Sequence, residues 1–402
     1  MLLIETASFA PAARLHNFHY AIRNIVTAAE QLERRGRVVT YLNIGDPQVY
    51  GFRPPAHVTE AVVRALRDEF TGYAHSAGLW NARVAVADEA AAQGLPELTP
   101  DDVFITAGAS EAADLLLTAL LNRGDEVLLP APGYPIYPAI LAKLEAQPVY
   151  YHLDAADDWQ PDTEALARLI TPRTRALVLI NPNNPTGSLI PDATVRRLLA
   201  LARRHDLLVI ADEVYRELCF AEAPTSAAVL ARDTQTPVVV LESLSKTHLV
   251  PGWRVGWMRF HGGDELRDLK AAVLKLAGGR LCAPTPAQYA VQPALRGDKT
   301  FMRSFIEDLR QRRDYALGRV AQIRGLSASK PVAAFYMMLQ VADWLGDNDE
   351  RRVLELLSAT GMLVVHGSGF GADARAGSFR LVYLPDETVL ARFFDALAQY
   401  LA

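Results

Sequence analysis

The chain has 402 residues, half of them apolar and 22% charged, which excludes a disordered or collagen-like chain and suits two or three domains, or one large domain with a smaller one attached. Its formal net charge of -5, from 46 acidic and 41 basic residues, gives no electrostatic reason to expect nucleic acid or an anionic membrane as a partner. Two cysteines, Cys219 and Cys282, cannot form a disulfide framework; with no signal-peptide pattern and no apolar run near the roughly 18 residues of a membrane helix, the expectation is a soluble, cytoplasmic protein.

In chain order, residues 17–37 carry a helical pattern closing on Arg34-Arg35-Gly36, cations followed by glycine, which is how helices end. The Ala-rich stretch 85–92 reads as helix. From residue 100 onward, short apolar runs alternate with helical stretches. The runs are Val103-Phe104-Ile105, Glu126-Val127-Leu128-Leu129, Ala176-Leu177-Val178-Leu179-Ile180, Leu207-Leu208-Val209-Ile210 and Val238-Val239-Val240-Leu241. Such runs, without polar alternation, are strands buried on both faces, and helices between them (110–121 and 192–204) imply βαβ units in a mostly parallel sheet. Beyond residue 296 the spacing changes to a long helix over 300–323 and sparser strands at 362–366 and 379–384. That change predicts a second, smaller α+β domain.

Ligands of a parallel sheet bind beyond the carboxyl ends of its strands, so the residues following each run carry the argument. Gly108-Ala109-Ser110-Glu111 opens a helix after the first run. Asn181-Pro182-Asn183-Asn184-Pro185-Thr186-Gly187 follows the third, Asp212-Glu213-Val214-Tyr215 the fourth, and Ser243-Leu244-Ser245-Lys246 the fifth, with Arg254 close behind. Small residues at a helix start leave backbone N–H groups free for a phosphate, to which Ser243 and Arg254 add a hydroxyl and a planar cation. Lys246 suits a Schiff-base nucleophile, and Asp212, an acid at the end of a buried strand, needs a positive partner such as a protonated pyridine nitrogen. Tyr215 and Asn184 can hydrogen-bond a phenolate oxygen, and Tyr134, within Pro132-Gly133-Tyr134-Pro135, can stack on an aromatic ring.

On these motifs the chain resembles the fold-type-I pyridoxal-phosphate enzymes of the class I/II aminotransferase family. Gly-Ala-Ser-Glu at 108–111, Asn-Pro-Thr-Gly at 184–187, Ala-Asp-Glu-Val-Tyr at 211–215, Ser-Leu-Ser-Lys at 243–246 and Gly-Trp-Arg-Val-Gly at 252–256 stand in family order. The resemblance implies an α/β fold: a large domain with a mostly parallel, seven-stranded sheet flanked by helices, plus a smaller α+β domain. The expected boundaries are an N-terminal arm at 1–50 joining the small domain, a large cofactor-binding domain at 51–295 and a small C-terminal domain at 296–402. It further implies pyridoxal 5'-phosphate as cofactor. Lys246, Asp212 and Tyr215 would be catalytic, and the backbone at Ala109 and Ser110, with Ser243 and Arg254, would hold the phosphate. Asn184 and Tyr215 would contact the phenolic oxygen, and Tyr134 the ring. Tyr73, in Thr71-Gly72-Tyr73, matches a tyrosine lent to the partner subunit's phosphate, which implies a homodimer with shared active sites. Arg380, in Phe379-Arg380-Leu381, matches the arginine that grips the substrate α-carboxylate, and Gly45, in Leu42-Asn43-Ile44-Gly45-Asp46-Pro47, matches a loop over that carboxylate. Asn184, Tyr20 and Arg23 join the expected substrate pocket.

The run Tyr20-x-x-Arg23, Leu42-Asn43-Ile44-Gly45 and Phe379-Arg380-Leu381-Val382 looks most similar to bacterial alanine aminotransferases, implying a ping-pong exchange between L-alanine and 2-oxoglutarate. Aspartate, aromatic or broad specificity within the family remains an alternative, as does a carbon–sulfur β-lyase of the same fold. Three other patterns are set aside. Ser243-x-x-Lys246 lacks the companion Ser-Asp-Asn and Lys-Thr-Gly motifs of penicillin-binding acyl transferases. Gly367-x-Gly369-x-x-Ala372 is not followed by the helix a dinucleotide fingerprint needs and reads as a glycine-rich loop. His16 and His19 are too isolated for a metal site.

Overall fold

The computed structural model describes residues 9–18 and 21–402. Eight strands form the larger sheet: β1 (Val103–Thr106), β2 (Glu126–Ala131), β3 (Gln147–Asp154), β4 (Gln160–Pro161), β5 (Thr174–Ile180), β6 (Leu208–Asp212), β7 (Val238–Ser243) and β8 (Gly256–His261). Their spatial order is β1-β8-β7-β6-β5-β2-β3-β4. Strands β7, β6, β5, β2 and β3 pair in parallel; β8 runs antiparallel to both its neighbours, and the two-residue β4 is an antiparallel edge. The expected mixed α/β, mostly parallel architecture is therefore present. Val209, Ile210, Val238, Val239 and Val240 are wholly inaccessible, as β-branched residues of a sheet covered on both faces should be. Since β1 also runs parallel to β7, the carboxyl ends of β1, β5, β6 and β7 face the same side.

The helices that position the site are α1 (Ala21–Glu33), α2 (Ala109–Leu120), α3 (Ile136–Leu144), α4 (Thr300–Gln322) and α5 (Asp349–Thr360). The helix expected over 17–37 is shorter, because Ala13–Asn17 forms a separate 3-10 turn and Gly36, at φ 79°, closes the last turn beyond Glu33. A second, antiparallel sheet contains β9 (Leu326–Ala328), β10 (Tyr336–Val341), β11 (Val365–His366) and β12 (Ser378–Val382) in the order β9-β10-β12-β11. The single strand expected at 362–366 is two: Met362–Leu363 pairs with Thr40–Tyr41, then the chain changes partner and β11 pairs with β12. That exchange joins the N-terminal segment to the second sheet, beside which α1 packs against α5.

Several strands escape the apolar-run criterion, and three of them show why. β3 contains Gln147, Pro148, His152 and Asp154 and lies near the sheet edge, where polar positions reach solvent. β8 carries Arg259, wholly buried, with its Nε 3.0 Å from Glu242. β10 begins inside Ala333-Ala334-Phe335-Tyr336, which could as well be helix. Among the described residues no helix is long and apolar enough to cross a membrane.

Candidate active site

Most of the expected residues converge on one cavity at the carboxyl ends of the large sheet, to which Gly45 and Arg380 connect through Lys246 and Asn184. Ala109, Ser110, Tyr134, Asn184, Asp212, Tyr215, Ser243, Lys246 and Arg254 all line it. Ile136 and Tyr137, outside the motifs, line it too, as do Val214 and Ser245, motif residues without an expected role.

At one end, Gly108 adopts φ 82° and turns β1 into α2, whose first N–H groups have no acceptor within the helix. The Arg254 guanidinium lies across this turn: a Cβ on Gly108 would come within 2.6 Å of its Nη2. Arg254 is itself in the left-handed region (φ 57°) and donates to the carbonyls of Pro251 at 2.9 Å and Ala107 at 3.1 Å. A helix N-terminus beside a fixed guanidinium is a dianion-binding geometry. The Ser243 hydroxyl sits here as a helix cap, accepting from Ser245 N–H at 3.0 Å and lying 2.8 Å from the Val255 carbonyl.

At the other end lies Asp212. Its buried carboxylate accepts from the Tyr137 hydroxyl at 2.9 Å and from Val214 N–H at 3.3 Å. Both donors are neutral, and no ion pair to Asp212 occurs among the described residues. Burial therefore pushes its pKa up to about 6, against the lowering effect of the Tyr137 bond. A buried acid without a cation is the environment into which a protonated pyridine nitrogen fits. Tyr137 has no motif; the available signal is only its place just inside α3, three residues after Tyr134.

Lys246 follows β7 on a short helix and donates to the Gly45 carbonyl at 2.6 Å. Burial lowers its pKa to about 8, with Arg380 and Arg254 pushing the same way and Asp46 opposing. An amine so placed is a nucleophile and base near neutral pH. Tyr215 is buried, with its hydroxyl 2.8 Å from that of Tyr336, and burial raises its pKa well above that of a free phenol.

Arg380, on β12, is 1% exposed and lies between the rings of Tyr336 and Phe370, each 4.5 Å away. It donates to Asn184 Oδ1 at 2.9 Å and to the Asn43 carbonyl. Gly45 is packed so closely that a Cβ would strike the Tyr336 hydroxyl and lie 2.5 Å from the Phe335 ring. The glycine is thus required sterically. Tyr73 is 83% exposed and does not line the cavity of its own chain. Tyr20 and the Arg23 side chain lie outside the described residues. The glycine-rich stretch after residue 366 is a turn, Gly367–Phe370, rather than a helix start, and no metal-ligand cluster occurs among the described residues.

These features together form a cavity with a helix N-terminus and a guanidinium at one end, a buried acid at the other and a lysine of lowered pKa in its lining. The family profile for aminotransferase class I and II matches residues 37–397. Glutamate-pyruvate aminotransferase AlaA of Escherichia coli K12 is 36% identical over 401 residues, covering 97% of this chain and 98% of its own. The alanine aminotransferase of Mycobacterium bovis is 37% identical over 407 residues, covering 98% and 93%. Among solved structures, an alanine aminotransferase from Pyrococcus furiosus superposes with a TM-score of 0.93 at 37% identity, covering 98% of this chain and 99% of that one. The chain belongs to the class I and II aminotransferases and is an enzyme of the transferase class. The family is generally pyridoxal-phosphate dependent and commonly dimeric, and acts on amino acids and 2-oxo acids.

Proposed function

We propose that this protein is a homodimeric, pyridoxal-phosphate-dependent aminotransferase that moves the amino group of L-alanine to 2-oxoglutarate and runs the exchange in reverse. The observation that carries this reading is the pairing, around one cavity, of a lysine with a lowered pKa and a buried acid that has no cation, the two groups such a cofactor engages. When bound, the cofactor supplies an electron sink for the charge left when the substrate α-carbon loses its proton. The protein's residues do the rest. Ala109 and Ser110 N–H groups, Ser243 and Arg254 hold the phosphate. Asp212 keeps the ring nitrogen protonated, and Tyr137 orients Asp212. Tyr215 and Asn184 hydrogen-bond the phenolic oxygen, and Tyr134 packs on the ring. Lys246 Nζ takes the proton from the substrate α-carbon. Arg380 binds the substrate α-carboxylate beneath the Gly45 segment, and Tyr73 reaches the partner subunit's phosphate.

The choice of alanine and 2-oxoglutarate draws on the names of the full-length relatives. The test is the visible spectrum of the protein with pyridoxal phosphate, first alone, then with L-alanine, then with 2-oxoglutarate. Loss of the cofactor band with alanine, release of pyruvate and recovery with 2-oxoglutarate are expected. A band unmoved by alanine but moved by aspartate or an aromatic amino acid would overturn the substrate. Pyruvate, ammonia and a thiol released together from a cysteine thioether, with no 2-oxo acid added, would point to the lyase, and no band at all would overturn the Lys246 assignment.

A further inference from the structure

One buried acid has no part in the chemistry above. Asp349, the first residue of α5, is wholly inaccessible. Its carboxylate faces the Gly367–Phe370 turn and grips Ser368 twice: Oδ2 accepts from Ser368 N–H at 2.7 Å and Oδ1 from the Ser368 hydroxyl at 2.5 Å. His366 completes the cluster, its Nδ1 lying 2.8 Å from Ser368 Oγ and 3.1 Å from Gly369 N. The nearest charge beyond these is Glu350, whose Oε1 is 4.0 Å from His366 Nε2. Burying a carboxylate is expensive unless its acceptor sites are filled, and here one serine fills two of them.

What the turn carries explains where this matters. It leaves β11, where Val365 stands opposite Arg380 in the ladder, and folds back so that the Phe370 ring covers the Arg380 guanidinium. The Phe370 carbonyl then accepts from Gly133 N–H at 2.8 Å, beside Tyr134. The turn therefore touches both the carboxylate-binding arginine and the segment carrying the ring-stacking tyrosine. A guanidinium between two rings keeps one direction for its N–H fork only while both rings stay in place.

We propose that Asp349, Ser368 and His366 are positioning residues that lock the Gly367–Phe370 turn, holding Phe370 against Arg380 and so setting the affinity for the substrate carboxylate. This rests on Arg380 being the carboxylate grip. The network touches neither cofactor nor reacting atoms, so its loss acts on substrate binding more than on the proton transfer at Lys246.

The experiment compares Ser368→Ala, Ser368→Thr, His366→Ala and Arg380→Lys in the pyridoxal-phosphate-loaded enzyme. Ser368→Ala keeps the backbone bond to Asp349, and the threonine variant restores the hydroxyl. Two readouts are taken: KM and kcat for amino acid and 2-oxo acid, and calorimetric binding of acetate and succinate, carboxylates that cannot react. Ser368→Ala and His366→Ala should raise both KM values and weaken both carboxylates by about five- to twentyfold. That is around the lower end of the roughly twelve- to 150-fold range that losing one charge-assisted hydrogen bond corresponds to, since the loss reaches Arg380 only through the turn. The kcat and the affinity for pyridoxal phosphate should stay near wild type, and Ser368→Thr should recover most of the affinity. Carboxylate binding unchanged in Ser368→Ala, or weakened equally in Ser368→Thr, while Arg380→Lys weakens it severely, overturns the positioning role. Unchanged binding in Arg380→Lys overturns instead the assignment of Arg380 on which the proposal stands.

Discussion

The Tyr137 hydroxyl is the stronger of the two donors that the Asp212 carboxylate accepts from, at 2.9 Å against 3.3 Å for the backbone N–H of Val214. Tyr137→Phe removes that hydroxyl and leaves the ring, which is 1% exposed, packed where it is. A hydrogen bond to a charged group contributes about 1.5–3 kcal/mol, or about one to two pKa units at 1.36 kcal/mol per unit. The bond stabilises the ionised form, so its loss raises the pKa, and a carboxyl already held at about 6 by burial moves to about 7–8. The assay is the affinity of the cofactor-free protein for pyridoxal phosphate as a function of pH. Binding that uses a charged Asp212 weakens as the carboxylate protonates, by up to about tenfold per pH unit below its pKa. In the wild type that fall should begin near pH 6. In the variant it should begin about one to two pH units higher, so the curves separate near neutrality and rejoin at alkaline pH. Coincident curves would refute the argument, and a uniform loss at every pH would reduce Tyr137 to a packing role.

Lys246→Ala should abolish turnover, and in the wild type the rate of covalent attachment of pyridoxal phosphate should rise with pH through about 8, as the amine loses its proton; a rate independent of pH across that range would contradict the lowered pKa. Gly45→Ala forces a methyl group into the Phe335 and Tyr336 rings, so the expected cost is about 1–3 kcal/mol of stability with a raised KM, read by denaturant unfolding and steady-state kinetics. Arg259→Met leaves the half-buried Glu242 with Trp257 and Arg216 as partners and should cost about 1–3 kcal/mol, part of it recovered in the double variant with Glu242→Gln; equal stability of the single and double variants would refute the coupling. Sedimentation should give a dimer, and mixing Lys246→Ala with Tyr73→Ala subunits should restore part of the activity that each lacks, since a hybrid dimer holds one site with neither defect. A monomer, or no recovery after exchange, would sink the shared site.

Lys246, Asp212, Asn184 and Ser110 were legible because each follows an apolar run at a strand end, and the large sheet supplies those ends side by side. The rule reads residue type against local position, so it fails where function depends on what touches what across the fold. Tyr137 reads as an ordinary core aromatic until Asp212, 75 residues away, lies against it. Arg259 argues against a strand until Glu242 pairs with it on the neighbouring one. Ser368 sits in a stretch that reads only as a glycine-rich loop, and its engagement by Asp349, 19 residues earlier, needs the fold of the second sheet.

The groups that would act on substrate are each held by a partner within the chain. The Lys246 ammonium rests on the Gly45 carbonyl, Asp212 on the Tyr137 hydroxyl, Arg380 on Asn184 and Asn43, and Tyr215 on Tyr336. Of these contacts, Lys246 to Gly45, Arg380 to Asn184 and Tyr215 to Tyr336 each join parts of the chain more than a hundred residues apart. They cross from the large sheet to the N-terminal segment or the second sheet, so Lys246, Arg380 and Tyr215 are also ties between the parts around the cavity. A pyridoxal phosphate that engages Lys246 would take the place of its Gly45 partner and leave the Asp212, Arg380 and Tyr215 contacts intact. Cofactor loading should therefore slow hydrogen exchange around Lys246, speed it around Gly45, whose carbonyl loses the Lys246 tie, and change little around β12. Equal slowing in all three regions would mean instead that the whole seam orders only when the cofactor is bound.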